Sequence, residues 1–186
     1  TWPSGLQQRS NSNPINFLRL LLNGPAWIKE NKMSLNVGDI APNFELPQAQ
    51  NAGDKIKLSD YQGKKNVLLC FYPFDFSPVC SEQLPAYSAQ ADRFEKANCE
   101  VLGISVDSPF AHAAWAESAG IQFPLLSDFF GKGTVEAYGL KHEKGFSNRA
   151  VILVDKEGKV VHTEVTAAPP ELPDDEKLFK ALEQLS

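Results

Sequence analysis

The sequence Phe71-Tyr-Pro-Phe-Asp-Phe-Ser-Pro-Val-Cys80 closes one element and opens another. It begins at the end of an apolar run, Val67-Leu-Leu-Cys-Phe-Tyr72, which reads as a buried strand. Pro73 and Pro78 stop that strand and force a turn. From Cys80 onward, Leu84, Tyr87, Ala91 and Phe94 recur at helical spacing, which predicts a helix from Cys80 to about Ala97, with Pro85 tolerated in its first turns. A thiol in the first turn of a helix sits among N–H groups at the positive end of the helix dipole. That setting favours the thiolate, the nucleophilic form of cysteine. Ser77, three residues upstream, can bring a hydroxyl to the same sulfur. Together these features predict a reactive cysteine.

The rest of the chain alternates strands and helices. Short strands and turns are expected over 35–66, with Ile56–Leu58 extended and Asn51–Asp54 a turn. Cys99–Val106 reads as a second buried strand. Ser108-Pro109 starts a helix that carries His112 and Trp115 and stops at Gly120. Phe123–Leu126 is expected as a short strand and Gly133–Tyr138 as a short helix. Ala150–Asp155 and Lys159–Val165 read as a hairpin. Thr166–Pro173 is Pro-rich, and Asp174–Leu185 is an amphipathic helix. The pattern predicts an α/β fold with a mixed sheet.

Size and charge narrow the function. The 186 residues carry a formal net charge of −5, which gives nucleic acid or an anionic membrane no support as partner. Three cysteines, at 70, 80 and 99, fit neither a disulfide framework nor a zinc pattern, so a reducing, cytoplasmic setting is expected. No metal or cofactor fingerprint is visible, and His112, His142 and His162 sit in separate elements. Residues 1–32 differ from the remainder, with net charge +3 against −8 after them. They read as an extension, either upstream of a natural start at Met33 or an organelle-targeting segment. The apolar piece Ile15–Leu22 is too short to span a membrane.

Pro73-x-x-x-Ser77-x-x-Cys80 resembles the active-site motif of the peroxiredoxins, thiol peroxidases on a thioredoxin-like fold. The resemblance extends, in order, through Gly38–Leu46, Val101–Ser108 with His112 and Trp115, Phe123–Asp128 and Arg149–Asp155. It implies a thioredoxin-like mixed central sheet flanked by helices over 33–168, with 169–186 as linker and C-terminal helix. It implies that Cys80 attacks a hydroperoxide and becomes a sulfenic acid. Ser77, the Cys80 N–H and Arg149 would stabilise the reacting oxygens, Pro73 would shield the sulfur, and Gln83 would support the arginine. After Met33 there are two arginines, and Arg93 reads as a surface charge. Ser77 stands where many members carry threonine, which removes a methyl that restrains the rotamer.

Two positions used by some members for a resolving cysteine are occupied otherwise: Pro85 stands five residues after Cys80, and no cysteine follows Cys99. Cys70 and Cys99 read as structural. The expectation is therefore a one-cysteine peroxidase without a bound cofactor. Its substrates would be hydrogen peroxide or alkyl hydroperoxides. An external thiol (thioredoxin, a glutaredoxin-like protein or a small thiol) would recycle it. A homodimer or larger homo-oligomer is expected, with Trp115 and the loop around Phe76 as contacts. The alternatives are a non-enzymatic redox sensor or relay, or an oligomeric holdase. A disulfide reductase or copper-delivery protein would normally show Cys-x-x-Cys or Cys-x3-Cys, and neither is present.

Overall fold

In the computed structural model, residues 35–49 and 54–185 are described. The extension 1–32, Met33 and most of the Asn51–Asp54 turn lie outside them. At the centre is β3 (Asn66–Phe71), buried at every residue because it is paired on both sides. It runs parallel to β4 (Cys99–Ser105) and antiparallel to β6 (Ala150–Val154). β5 (Leu125–Ser127) extends the sheet beyond β4 and β7 (Val160–Val165) beyond β6, giving the order β5-β4-β3-β6-β7. A small antiparallel pair, β1 (Glu45–Pro47) with β2 (Lys55–Lys57), lies outside this mixed sheet.

Strand alternation divides the core into two layers. Leu68, Cys70 and Tyr72 face one apolar cluster, and Val67, Leu69 and Phe71 face the other. The first cluster is closed by α1 (Cys80–Ala89), α2 (Ala91–Lys96), α3 (Pro109–Ala119) and α5 (Asp175–Glu183), through Leu84, Phe94, Trp115 and Leu178. The second is covered by Phe44, Leu46 and Leu58 and by the region of α4 (Thr134–Ala137). Helix ends follow their sequence signals. The Ser108 Oγ accepts the Ala111 N–H at 3.2 Å, Pro109 is the first helical residue, and Gly120 closes α3 at φ +67°.

Several boundaries differ from expectation. The helix expected over Cys80–Ala97 is two helices, because Gln90 leaves helical geometry (φ −105°, ψ 19°) and its N–H bonds back to Tyr87. Residues 88–93 offer no large apolar side chain to hold that stretch against the sheet. The strand expected from Phe123 starts at Leu125, since Pro124 has no N–H for the ladder. Leu58 turns inward in a 3-10 turn, Leu58–Tyr61, instead of ending β2. Trp115 is 1% exposed, packed on Tyr72, so it cannot form the subunit contact expected of it. Phe76 is exposed, as such a contact requires.

Gly103 marks the tightest point of the first layer. A Cβ there would lie 2.5 Å from Leu125 Cδ2, with Leu84 and Tyr72 at 3.4 Å. Gly103→Ala is expected to destabilise the fold by about 1–3 kcal/mol through overpacking. A lower urea midpoint at unchanged slope checks this.

Candidate active site

β3 delivers the chain to the edge of the first layer, and Tyr72 continues the pairing through its N–H to the Ile104 carbonyl at 3.1 Å. The turn then doubles back through Pro73, which is buried, and Phe76, which takes φ +57°. A non-glycine residue in that region signals a turn fixed by its surroundings. Ser81 N–H bonds to the Ser77 carbonyl at 2.9 Å, so the turn winds directly into α1. Cys80 is the first residue of that helix and is fully buried.

Arg149, just before β6, reaches the same point from across the sheet. Its side chain is 1% exposed. Nη2 donates to Cys80 Sγ at 3.4 Å, and Nη1 donates to Gln83 Oε1 at 2.6 Å. Nε and Nη2 both donate to the Pro169 carbonyl, at 3.1 and 2.9 Å. Of these partners, only the sulfur can carry a negative charge. The buried guanidinium thus sets a fixed positive charge directly beside the sulfur. The same donors can stabilise negative charge developing on an oxygen bound next to the sulfur.

Of the residues expected at the site, Cys80, Arg149 and Gln83 are in direct contact. Pro73 lies in the turn that carries Cys80. Ser77 is differently placed from expectation: its hydroxyl donates to the Phe74 carbonyl at 3.1 Å rather than to the sulfur. A serine lacks the methyl that would restrict this rotation. Arg93 lies on the surface as expected, paired with Glu183 at 3.3 Å and stacked 3.6 Å above the Phe179 ring.

Three features were missed in the sequence. Tyr87 contacts Gln83 one helical turn away, Nε2 to Oη 3.4 Å, a spacing that could have revealed it. The Pro169 carbonyl is a backbone group and leaves no sequence signal. Beneath the turn, Asp75 Oδ2 lies 2.8 Å from His112 Nδ1, and Tyr72 donates to Asp75 Oδ1 at 2.9 Å. His112 is therefore a buried anchor of the turn that carries Cys80. The Asp75 N–H is in turn held by Asp107 Oδ2 at 3.0 Å.

The other thiols are chemically unlike a nucleophile. Burial pushes the Cys70 thiol far above its ordinary value, with Arg149 pulling weakly the other way. Burial also pushes Cys99 up to about 12. Both remain protonated at neutral pH. Among the described residues, no group of three or more His, Cys, Asp or Glu could hold a metal ion. No described helix is long and apolar enough to cross a membrane.

A buried helix-terminal thiol joined to a buried arginine defines a site suited to thiol chemistry. Comparison with known proteins narrows this. The sequence pattern of the AhpC/TSA family matches residues 37–163, and the chain belongs to that family. It is 42% identical over 138 residues to the chloroplastic 2-Cys peroxiredoxin BAS1 of Spinacia oleracea, covering 69% of this chain and 52% of that one. It is 39% identical over 154 residues to alkyl hydroperoxide reductase E of Mycobacterium tuberculosis (strain ATCC 25618 / H37Rv), covering 82% of this chain and 99% of that one. The chain thus spans about half the length of the spinach relative. Among solved structures it resembles the reduced 2-Cys peroxiredoxin of Plasmodium vivax, with TM-score 0.73 and 32% identity over 80% of this chain and 81% of that one. The expected thioredoxin-like fold is borne out. The one-cysteine subtype is not supported by these names, since two of the three relatives are called 2-Cys.

Proposed function

We propose that this chain is a thiol-dependent peroxidase that reduces hydrogen peroxide or alkyl hydroperoxides at Cys80. The observation that carries this reading is the buried contact between Arg149 Nη2 and Cys80 Sγ at 3.4 Å. The thiolate attacks one peroxide oxygen, an S–O bond forms as the O–O bond breaks, and the leaving oxygen departs as water or an alcohol after taking a proton. Cys80 is left as a sulfenic acid. Arg149 stabilises charge on the separating oxygens, Gln83 orients Arg149, and Pro73 shields the sulfur from water. Ser77 would join them once its hydroxyl turns from the Phe74 carbonyl toward the bound peroxide.

We assign the sulfenic acid to reduction by an external thiol: thioredoxin, a glutaredoxin-like protein or a small thiol. Two such thiols restore Cys80 and release one disulfide and water. Cys99 supports this by position: it pairs with Asn66 at the far end of β3, about 17 Å along the strand from Phe71. That span is beyond disulfide reach without unfolding. Cys70 shares the apolar cluster of Cys80, but as a buried thiol in the central strand it is a poor nucleophile. Intact mass after one equivalent of peroxide tests the assignment. One added oxygen is expected, and a product lighter by two hydrogens would contradict it.

The exposed Phe76, Phe110, Phe129 and Phe130 support assembly into a homodimer or larger homo-oligomer. For localisation, the sparse cysteines favour the cytoplasm, whereas the chloroplastic names of several relatives favour an organelle. N-terminal mass spectrometry of protein from its native locus separates these.

A further inference from the structure

Arg149 is held from two sides, and one side is supplied by the end of the chain. The Pro169 carbonyl takes two of the guanidinium's hydrogens. The opposite contact, Nη1 to Gln83 Oε1, continues outward as a directional chain. With its oxygen accepting from Arg149, the Gln83 amide presents Nε2 to Tyr87 Oη at 3.4 Å. The Tyr87 hydroxyl then donates to Asp175 Oδ1 at 3.0 Å. Burial pushes the Tyr87 phenol well up, so it stays neutral and able to donate. Pro169 and Asp175 both lie beyond β7, in the linker and the first turn of α5.

That segment is itself fixed. The Thr166 N–H bonds to the Arg149 carbonyl at 3.1 Å, and its hydroxyl donates to the Ala168 carbonyl at 3.0 Å. Asp174 caps α5 by accepting the N–H groups of Glu176 and Lys177. Leu178, Phe179 and Leu182 then seat the helix in the apolar cluster that contains Cys80. A guanidinium aimed at a sulfur 3.4 Å away tolerates little rotation, because hydrogen bonds weaken steeply with angle.

We propose that Thr166–Asp175 is a positioning part of the active site, holding Arg149 through the Pro169 carbonyl and through the relay Asp175–Tyr87–Gln83. Asp175 and Tyr87 act on the thiol only through the arginine. This inference rests on the peroxidase reading.

The test uses the full chain with Asp175→Ala, Asp175→Asn and Tyr87→Phe. It reads the second-order rate constant for peroxide and the pH profile of Cys80 alkylation by iodoacetamide. Asp175→Ala and Tyr87→Phe are expected to slow the peroxide reaction about fivefold, the size of one lost hydrogen bond. Both should move the alkylation profile to higher pH, since a less firmly held cation stabilises the thiolate less. Asp175→Asn keeps an oxygen that accepts from Tyr87 and should retain both properties. A lowered Tm with rate and profile unchanged would make the contact merely structural and overturn the inference. So would Asp175→Asn failing as badly as Asp175→Ala. If even the native chain ignores peroxide, the peroxidase reading fails, while the alkylation profile still decides whether the relay positions Arg149.

Discussion

Replacing Arg149 by methionine is expected to slow the oxidation of Cys80 by peroxide about 100- to 1,000-fold, the usual loss when a fixed donor to a developing anion is removed. Methionine keeps much of the length and apolar stem, so the loss falls on the guanidinium. In the proposed mechanism the arginine acts on the peroxide as well as on the sulfur, by stabilising the oxygen that leaves. Arg149→Lys should recover little, because a point charge cannot satisfy Gln83, Pro169 and the sulfur together. Either variant leaves buried acceptors unpaired, at about 1–3 kcal/mol each. Stopped-flow oxidation rates compared at temperatures well below each variant's Tm separate chemistry from stability.

The second large effect is structural. His112→Ala is expected to destabilise the protein by about 3–5 kcal/mol, because it opens a cavity in the core and leaves buried polar partners without the imidazole. The side chains of His112 and Asp75 are 0% and 2% exposed. Nε2 of His112 faces the Leu126 carbonyl at 3.2 Å, and Nδ1 faces the Asp75 carboxylate. Nδ1 also lies 3.2 Å from the Tyr72 hydroxyl, so the ring is engaged by polar groups on both sides. Removing the ring leaves Asp75 with the Tyr72 hydroxyl as its remaining side-chain donor among the described contacts. Because Asp75 lies in the turn that carries Cys80, the peroxide reaction should slow as well. A urea melt measures the first effect, and a Tm lowered by roughly 10 °C should accompany it.

Much of the fold was legible because its signals are local. A continuous apolar run stopped by Pro73 reads as a buried strand, and β3 is buried at every residue. Ser108, Pro109 and Gly120 mark the ends of α3 by their own backbone preferences. Cys80 was legible for the same reason, as a thiol at a strand–turn–helix junction. Arg149 was not readable from spacing. It lies 69 residues from Cys80, and the family resemblance pointed to it.

What escaped the sequence depends on rotamers and backbone atoms. Nothing in the residue order says that Ser77 turns its hydroxyl to the Phe74 carbonyl, or that Pro169 offers its carbonyl to Arg149. The pairing of His112 with Asp75 joins elements 37 residues apart, and the helical neighbour Trp115 suggested only a packing face. The break at Gln90 reflects competition between helix propensity and docking on the sheet, which tertiary packing decides.

The most direct test of the central claim is stopped-flow consumption of hydrogen peroxide by the reduced native chain and by Cys80→Ser, with intact mass of the products. A fast reaction in the native chain, absent from Cys80→Ser and leaving one added oxygen on the protein, is the predicted result. Undiminished peroxide consumption by Cys80→Ser, or none by the native chain, would contradict it.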